Sequence, residues 1–308
     1  MKFEVTILGS NSALPTTKRF PTAQVLNVLE RFFLIDCGEG TQIHMKRFRI
    51  PMSRINHIFI SHMHGDHIFG LIGLLSTFSL QGRKTDLHIY GHSKLEKLIR
   101  FQLELLETKK EYNIVFHTIF GKEVQTLYED DKLTVQSFPL KHGATPCAGF
   151  IFREKERPRT LKADLLNFYN VPIKLRHSLK LGEDFVRENG EIIPNSKLTK
   201  DPPKARSYAF CTDTAPYPKI IPIIEGVDLL YHEATFLKSE EKLAKSTYHS
   251  TAAQAADIAS KANVKQLIIG HYSARFRELD GHLEEAREIF PNTFLAEDGK
   301  KFSVELDR

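Results

Sequence analysis

The chain has 308 residues, 41% apolar and 26% charged, enough for one large core, and it holds no run of some twenty apolar residues that could span a membrane. Its three cysteines, Cys37, Cys147 and Cys211, are odd in number and far apart, which argues against a disulfide framework and for buried free thiols in a reducing, cytoplasmic compartment. The formal net charge is only +5, but all of that excess falls in one place.

The chain opens as a strand over residues 1–8, not as a signal peptide. Strands over 23–29 and 32–35 follow, then a helix over 41–48 and the buried strand Ile58-Phe59-Ile60. Helices are predicted over 68–78 and 93–106; in the second, Leu95, Leu98, Ile99, Leu103 and Leu106 share helical spacing. Residues 133–138 alternate as a half-buried strand, and strand-like runs recur at 208–211, 227–231 and 266–270. A helix over 251–262 starts at Thr251 and is rich in alanine; another covers 282–290. This alternation predicts an α/β fold, one domain over 1–308 with an insertion. The 22 phenylalanines read as core residues and not as a base-stacking platform, and His44, His57, His88, His92, His117, His177 and His282 receive no role.

Directly after Ile60 come Ser61-His62-Met63-His64-Gly65-Asp66-His67. Four ligands could close one structural zinc. On so short a loop, however, neighbouring side chains point different ways. The spacing suits two ions, with His62 and His64 on one and Asp66 and His67 on the other, and so a metal-dependent hydrolase. His142, Asp213, His271 and the pair His232-Glu233 each follow a strand-like run, where open sheets gather their ligands.

Residues 153–206 hold thirteen Lys and Arg against eight Asp and Glu, which equals the net charge of the whole chain. The stretch lacks sustained periodicity and carries Pro158, Pro172, Pro194, Pro202 and Pro203. It reads as a protruding insertion that grips a polyanion, because phosphate contacts supply most non-specific nucleic-acid affinity.

Together these segments resemble the tRNase Z (ribonuclease Z) family of the metallo-β-lactamase superfamily. The resemblance runs through Thr6-Ile7-Leu8-Gly9-Ser10, Asp36-Cys37-Gly38-Glu39-Gly40, the histidine motif, His232-Glu233-Ala234-Thr235-Phe236, His249-Ser250-Thr251-Ala252 and His271-Tyr272-Ser273-Ala274-Arg275-Phe276. It implies a four-layer αββα sandwich and two zinc ions per chain. His62, His64 and His142 would hold one, Asp66, His67 and His271 the other, and Asp213 would bridge them. Asp36 would orient a ligand histidine from behind. The implied reaction is in-line hydrolysis of precursor tRNA by an activated water, leaving a tRNA 3′-hydroxyl and a 5′-phosphorylated trailer. His249 would protonate the leaving oxygen, Glu233 would orient His249, and Asp66 would steer the nucleophile's proton. The insertion would be the family's tRNA-holding arm, with Lys174, Arg176 and Lys180 available to phosphates, in a homodimer whose arm serves the partner's site. The arm's usual Gly-Pro turn is missing from Asn170-Val171-Pro172-Ile173-Lys174.

Two other functions compete. A small-substrate hydrolase of this fold, acting on cyclic nucleotides, thioesters or lactams, needs the metal site but no basic insertion. A non-catalytic RNA-binding protein needs the insertion but no seven-ligand set.

Overall fold

The structure, a computed structural model, describes residues 2–107 and 110–306. Met1, where the first predicted strand begins, lies outside the described residues. The first half supplies β1 (Phe3–Gly9), β2 (Ala23–Val28), β3 (Arg31–Ile35), α1 (Thr41–Arg47), β4 (Ile55–Phe59), α2 (Gly65–Ile68) and α3 (Leu71–Leu80). Then come β5 (Leu87–Gly91), α4 (Ser93–Leu105) and β6 (Ile114–Thr118). A meander of β7 (Gln125–Glu129), β8 (Leu133–Pro139) and β9 (Ala148–Glu154) opens the second half.

The segment after β9 contains β10 (Thr160–Leu161), α5 (Ala163–Phe168), α6 (Arg176–Lys180), β11 (Phe185–Val186), β12 (Ile192–Ile193), α7 (Asn195–Leu198) and β13 (Thr199–Lys200). The chain returns through β14 (Ser207–Cys211), α8 (Ile221–Ile224), β15 (Leu229–Glu233), α9 (Glu241–Thr247), α10 (Ala252–Lys261) and β16 (Leu267–Gly270). It ends with α11 (Asp280–Ile289), β17 (Thr293–Leu295) and β18 (Lys301–Ser303).

Two seven-stranded sheets result, ordered β18-β1-β2-β3-β4-β5-β6 and β17-β16-β15-β14-β9-β8-β7. They pack face to face through aromatic side chains: Phe152 of the second sheet meets Phe33 and Phe59 of the first, with ring centroids 5.5 and 5.6 Å apart. Outside the first sheet, Leu71, Leu74, Leu75 and Phe78 of α3 and Leu95 and Ile99 of α4 join one core cluster with Ile58 and Ile89. Beyond the second, the alanines of α10 pack with Ile268 and Ile269. Helix, sheet, sheet and helix are the four layers of a metallo-β-lactamase sandwich. Thr251 caps α10, and its side chain and that of Gln254 form a reciprocal capping box. His92 also finds a structural use, because its Nδ1 accepts the Lys94 N–H at the start of α4, 3.2 Å away.

Two expectations need correction. The helix predicted over 68–78 breaks at Phe69–Gly70. There the Gly70 N–H donates to the Cys37 carbonyl, and a Cβ at 70 would stand 2.1 Å from the Gly38 oxygen. The strand predicted over 227–231 lies two residues later, so His232 and Glu233 belong to β15 instead of following it. All three cysteines are buried and unpaired.

The segment between β9 and β14 has a small core of its own, built from Leu166, Val171, Leu179, Phe185, Ile193 and Leu198. Its helices have six, five and four residues, too short for periodicity to show in sequence. At its root the Arg206 guanidinium grips the buried Glu154 carboxylate (2.8 Å), and Arg153 pairs with Ser207 in the main sheet. Arg153 and Arg206 therefore belong to the body.

Candidate metal centre

Every candidate ligand stands beyond the carboxyl end of a strand. His62 to His67 occupy the turn after β4 and the single turn of α2; His142 follows β8, Asp213 follows β14 and His271 follows β16. Because both sheets present those ends on one edge, about two thirds of the chain separates residues that meet in space. The ligand atoms of His62, His64, His142 and Asp213 lie within 4.8 Å of one another, and so do those of Asp66, His67 and His271. Asp213 touches both groups. Its Oδ2 is 3.5 Å from His62 Nε2 and 3.8 Å from His142 Nε2, and its Oδ1 is 3.3 Å from His67 Nε2 and 3.0 Å from His271 Nε2. One carboxylate oxygen serves each group.

The histidines are aimed from behind. Asp36 is fully buried and accepts from His67 Nδ1 (2.7 Å), the Ser61 hydroxyl (2.9 Å) and the Ser61 N–H (2.8 Å). His271 Nδ1 is 3.1 Å from the Thr235 hydroxyl, and His142 Nδ1 donates to the Tyr248 carbonyl at 3.2 Å. With Nδ1 engaged, Nε2 of these rings faces the cluster. His64 is the exception: its Nδ1 points inward, 2.9 Å from His62 Nε2. The backbone is bent to suit, for Asp36, Asp213 and His271 hold positive φ values of 54°, 42° and 60°. Such conformations in non-glycine residues cost roughly 1–3 kcal/mol each and gather at functional sites.

These residues fit metal ions. The buried Nε2 atoms of His67 and His271 have no hydrogen-bond partner among the described residues. Imidazole and carboxylate donors are those that zinc takes. The charges point the same way. Burial would raise Asp66, but the imidazoles of His67 and His271 hold it far below the usual carboxylate range. Asp213 is likewise held down against its burial, chiefly by His271, His67 and His62. Burial pushes His62 and His142 down, keeping them neutral for ligation. Burial also disfavours charge on His67, yet Asp213, Asp66 and Asp36 together draw a proton onto it, a demand that a cation would answer.

Beside this cluster stand Glu233 and His249. Glu233 ends β15 fully buried; its Oε1 accepts from His249 Nδ1 (2.8 Å) and the Thr214 N–H (2.9 Å), and its Oε2 from the Thr235 hydroxyl (2.7 Å). The His249 ring lies 5.1 Å from that of His142 and 5.5 Å from that of His271. Tyr248, left-handed at φ 59°, ends α9 and turns His249 toward the cluster. Burial alone would lower His249, but the Glu233 carboxylate holds it up at about 9.

Known proteins share both the sequence and the fold. Residues 3–166 match the family model described as anti-Pycsar protein Apyc1, a span that stops before Asp213, Glu233, His249 and His271. A ribonuclease Z of Bacteroides thetaiotaomicron is 50% identical over 98% of this chain and 96% of its own. The chain belongs to the ribonuclease Z family. A second ribonuclease Z, from Phocaeicola vulgatus, is 48% identical over 99% of this chain and 98% of its own. Among solved structures, the short form of human tRNase Z superposes with a TM-score of 0.72 at 27% identity, covering 98% of this chain and 99% of that one. The metallo-β-lactamase-fold protein YhfI of Bacillus subtilis, at 19% identity and a TM-score of 0.68, shares the fold.

Within this ribonuclease Z framework, all seven expected ligands, together with Asp36, Glu233 and His249, come to one edge. Lys174, Arg176 and Lys180 do not. They sit in the inserted segment, Lys174 and Lys180 exposed and Arg176 half-buried. Its root is at the far end of β9 from the cluster: Ala148 bonds Ser61 beside the site, and Glu154 is six residues on, about 20 Å at 3.3 Å per residue. Sequence reasoning gave no role to Ser61, Thr235 or the Tyr248 carbonyl. Ser61 and Thr235 each lie next to a motif residue, but nothing in their spacing marks a hydroxyl as a partner.

Proposed function

We propose that this chain is a zinc-dependent endoribonuclease that removes the 3′ trailer from precursor tRNA, leaving a tRNA 3′-hydroxyl and a 5′-phosphorylated trailer. The observation that carries the reading is Asp213, whose two oxygens divide between a three-histidine group and an Asp-His-His group in a chain that matches a ribonuclease Z over 98% of its residues. His62, His64, His142 and Asp213 would hold one zinc, and Asp66, His67, His271 and Asp213 a second. Bound there, two such ions would supply Lewis acidity to the scissile phosphate and a lowered pKa to the attacking water.

The chain's own groups do the rest. Asp66 orients the attacking water and steers its proton, helped by the Ala13 N–H that fixes its Oδ2 at 2.8 Å. His249 carries a proton at neutral pH and delivers it from Nε2 to the departing 3′ oxygen, while Glu233 holds Nδ1. Asp36, Ser61 and Thr235 keep the ligand rings in register.

Lys174, Arg176 and Lys180 meet tRNA phosphates on the inserted arm. Since the arm is rooted at the end of the sandwich away from the cluster, a homodimer whose arms serve the partner's cleft suits the geometry. Among the described residues no helix is long and apolar enough to cross a membrane, and a cytoplasmic enzyme with free thiols fits its substrate. A precursor tRNA labelled in its 3′ trailer, incubated with purified protein and zinc, tests the reading. Release of the intact trailer is the expected result, and an uncut precursor beside a hydrolysed aryl phosphodiester would turn the reading toward a small-substrate hydrolase.

A further inference from the structure

Phenylalanine in this chain is mostly core, but Phe69 is 69% exposed while Phe33, Phe59, Phe138, Phe150, Phe152 and Phe210 are at or below 1%. Its place is fixed by its neighbours. The Phe69 N–H donates to the Gly65 carbonyl at 2.8 Å, and the next N–H, that of Gly70, donates to Cys37 at 2.9 Å. The ring lies against Gly65 so closely that a Cβ there would stand 2.1 Å from Cε2. Gly65 joins His64 of one metal group to Asp66 of the other. An exposed aromatic face thus lies against the loop that joins the two ligand groups. Leu14, 66% exposed, follows the Ala13 whose N–H is bonded to Asp66.

We propose that Phe69 is a stacking platform for a nucleobase adjoining the scissile phosphate, an inference that rests on the endoribonuclease reading. With ligand residues on both sides of Gly65, a phosphate held at the cluster would lie near the ring, and the base on that phosphate's own nucleotide would be the nearest flat apolar surface. Every base has a π-face, so stacking accepts many sequences, as an enzyme meeting many RNA precursors requires. Gly65 is the complement of this arrangement: any side chain there would lift the ring off the loop.

The chain contains no tryptophan, which supplies a direct probe. Phe69→Trp introduces the only indole, and precursor tRNA added to this variant is expected to quench its emission as a base stacks on it. The same change at Phe101, exposed on α4, should show no quench. Phe69→Ala should weaken binding of precursor tRNA roughly five- to 150-fold, the range for loss of one base–aromatic stack, with a smaller effect on kcat. Phe69→Trp should restore it and Phe69→Leu should not.

The platform is overturned if Phe69→Leu binds RNA as tightly as wild type, or if the Phe69→Trp emission ignores RNA. It is also overturned if Phe69→Ala loses metal in step with cleavage, since the ring would then only brace the loop. A wild-type protein that leaves precursor tRNA uncut overturns the endoribonuclease reading and the platform with it. Cleavage by wild type with Phe69→Ala unaffected overturns the platform alone.

Discussion

At the scale of single residues, the His249–Glu233 pair separates proton delivery from metal binding. His249→Ala is expected to keep both metals while cleavage of precursor tRNA slows by roughly 10²–10⁴. The loss should shrink on an activated aryl phosphodiester, whose leaving group needs no proton; equal losses on both substrates would remove His249 from that role. The acid works only when protonated, and its pKa is raised, so kcat on RNA should fall as pH rises through an inflection at or below about 9, because bound cations draw it down. Glu233→Gln should move that inflection to lower pH. Asp213→Ala removes an oxygen from each ligand group, and elemental analysis should show both zinc occupancies falling; an unaffected second metal would refute the bridge. The ligand residues were legible because histidines at two- and three-residue spacing after a buried strand serve little purpose except to hold metal. Ser61 and Thr235 were not, because a hydroxyl's role depends on the rings that three-dimensional folding brings to it, as Thr235 touches Glu233, His249 and His271 at once.

Among the elements, the inserted segment carries the clearest test. Replacing 155–205 with a short Gly/Ser linker should leave metal content and aryl phosphodiesterase activity nearly intact, with precursor tRNA processing falling sharply. Charge reversal at Lys174, Arg176 and Lys180 should weaken tRNA binding and flatten its salt dependence by roughly 0.7–0.9 in log–log slope for each phosphate no longer held. Processing that survives the deletion would move substrate choice into the cleft. The segment's charge was legible in sequence, but its limits were not, because Arg153 and Arg206 are body residues. Between 155 and 205 there remain eleven basic and seven acidic residues, and several pair internally, such as Arg187 with Glu191 at 2.7 Å. The long periodic helices α4 and α10 were readable to within a residue or so, since tertiary packing and intrinsic preference agree there. The break at Phe69–Gly70 was hidden because its cause is a backbone some thirty residues upstream, the carbonyls of Cys37 and Gly38.

For the whole molecule, an arm rooted about 20 Å of strand away from its own cluster predicts complementation between chains. Armless protein with an intact metal site and His249→Ala protein with an intact arm should each process precursor tRNA poorly, and subunits exchanged between them should recover activity. No recovery after verified exchange would mean that each arm serves its own cleft.

The cluster of carboxylates among imidazoles has a consequence for the lifetime of the fold. Asp36 and Asp213 are buried and Asp66 half-buried among imidazoles, and three residues there, Asp36, Asp213 and His271, have left-handed backbone. A cation that binds only the folded state adds RT ln(1 + [L]/Kd) to its stability, about 2.7 kcal/mol at a hundredfold excess over Kd. Chelation should therefore lower the melting temperature, and titrating zinc back should raise it continuously. Apparent thermostability would then read out the free zinc around the protein, and a metal-starved cell would lose this chain to unfolding and proteolysis as well as to inactivity.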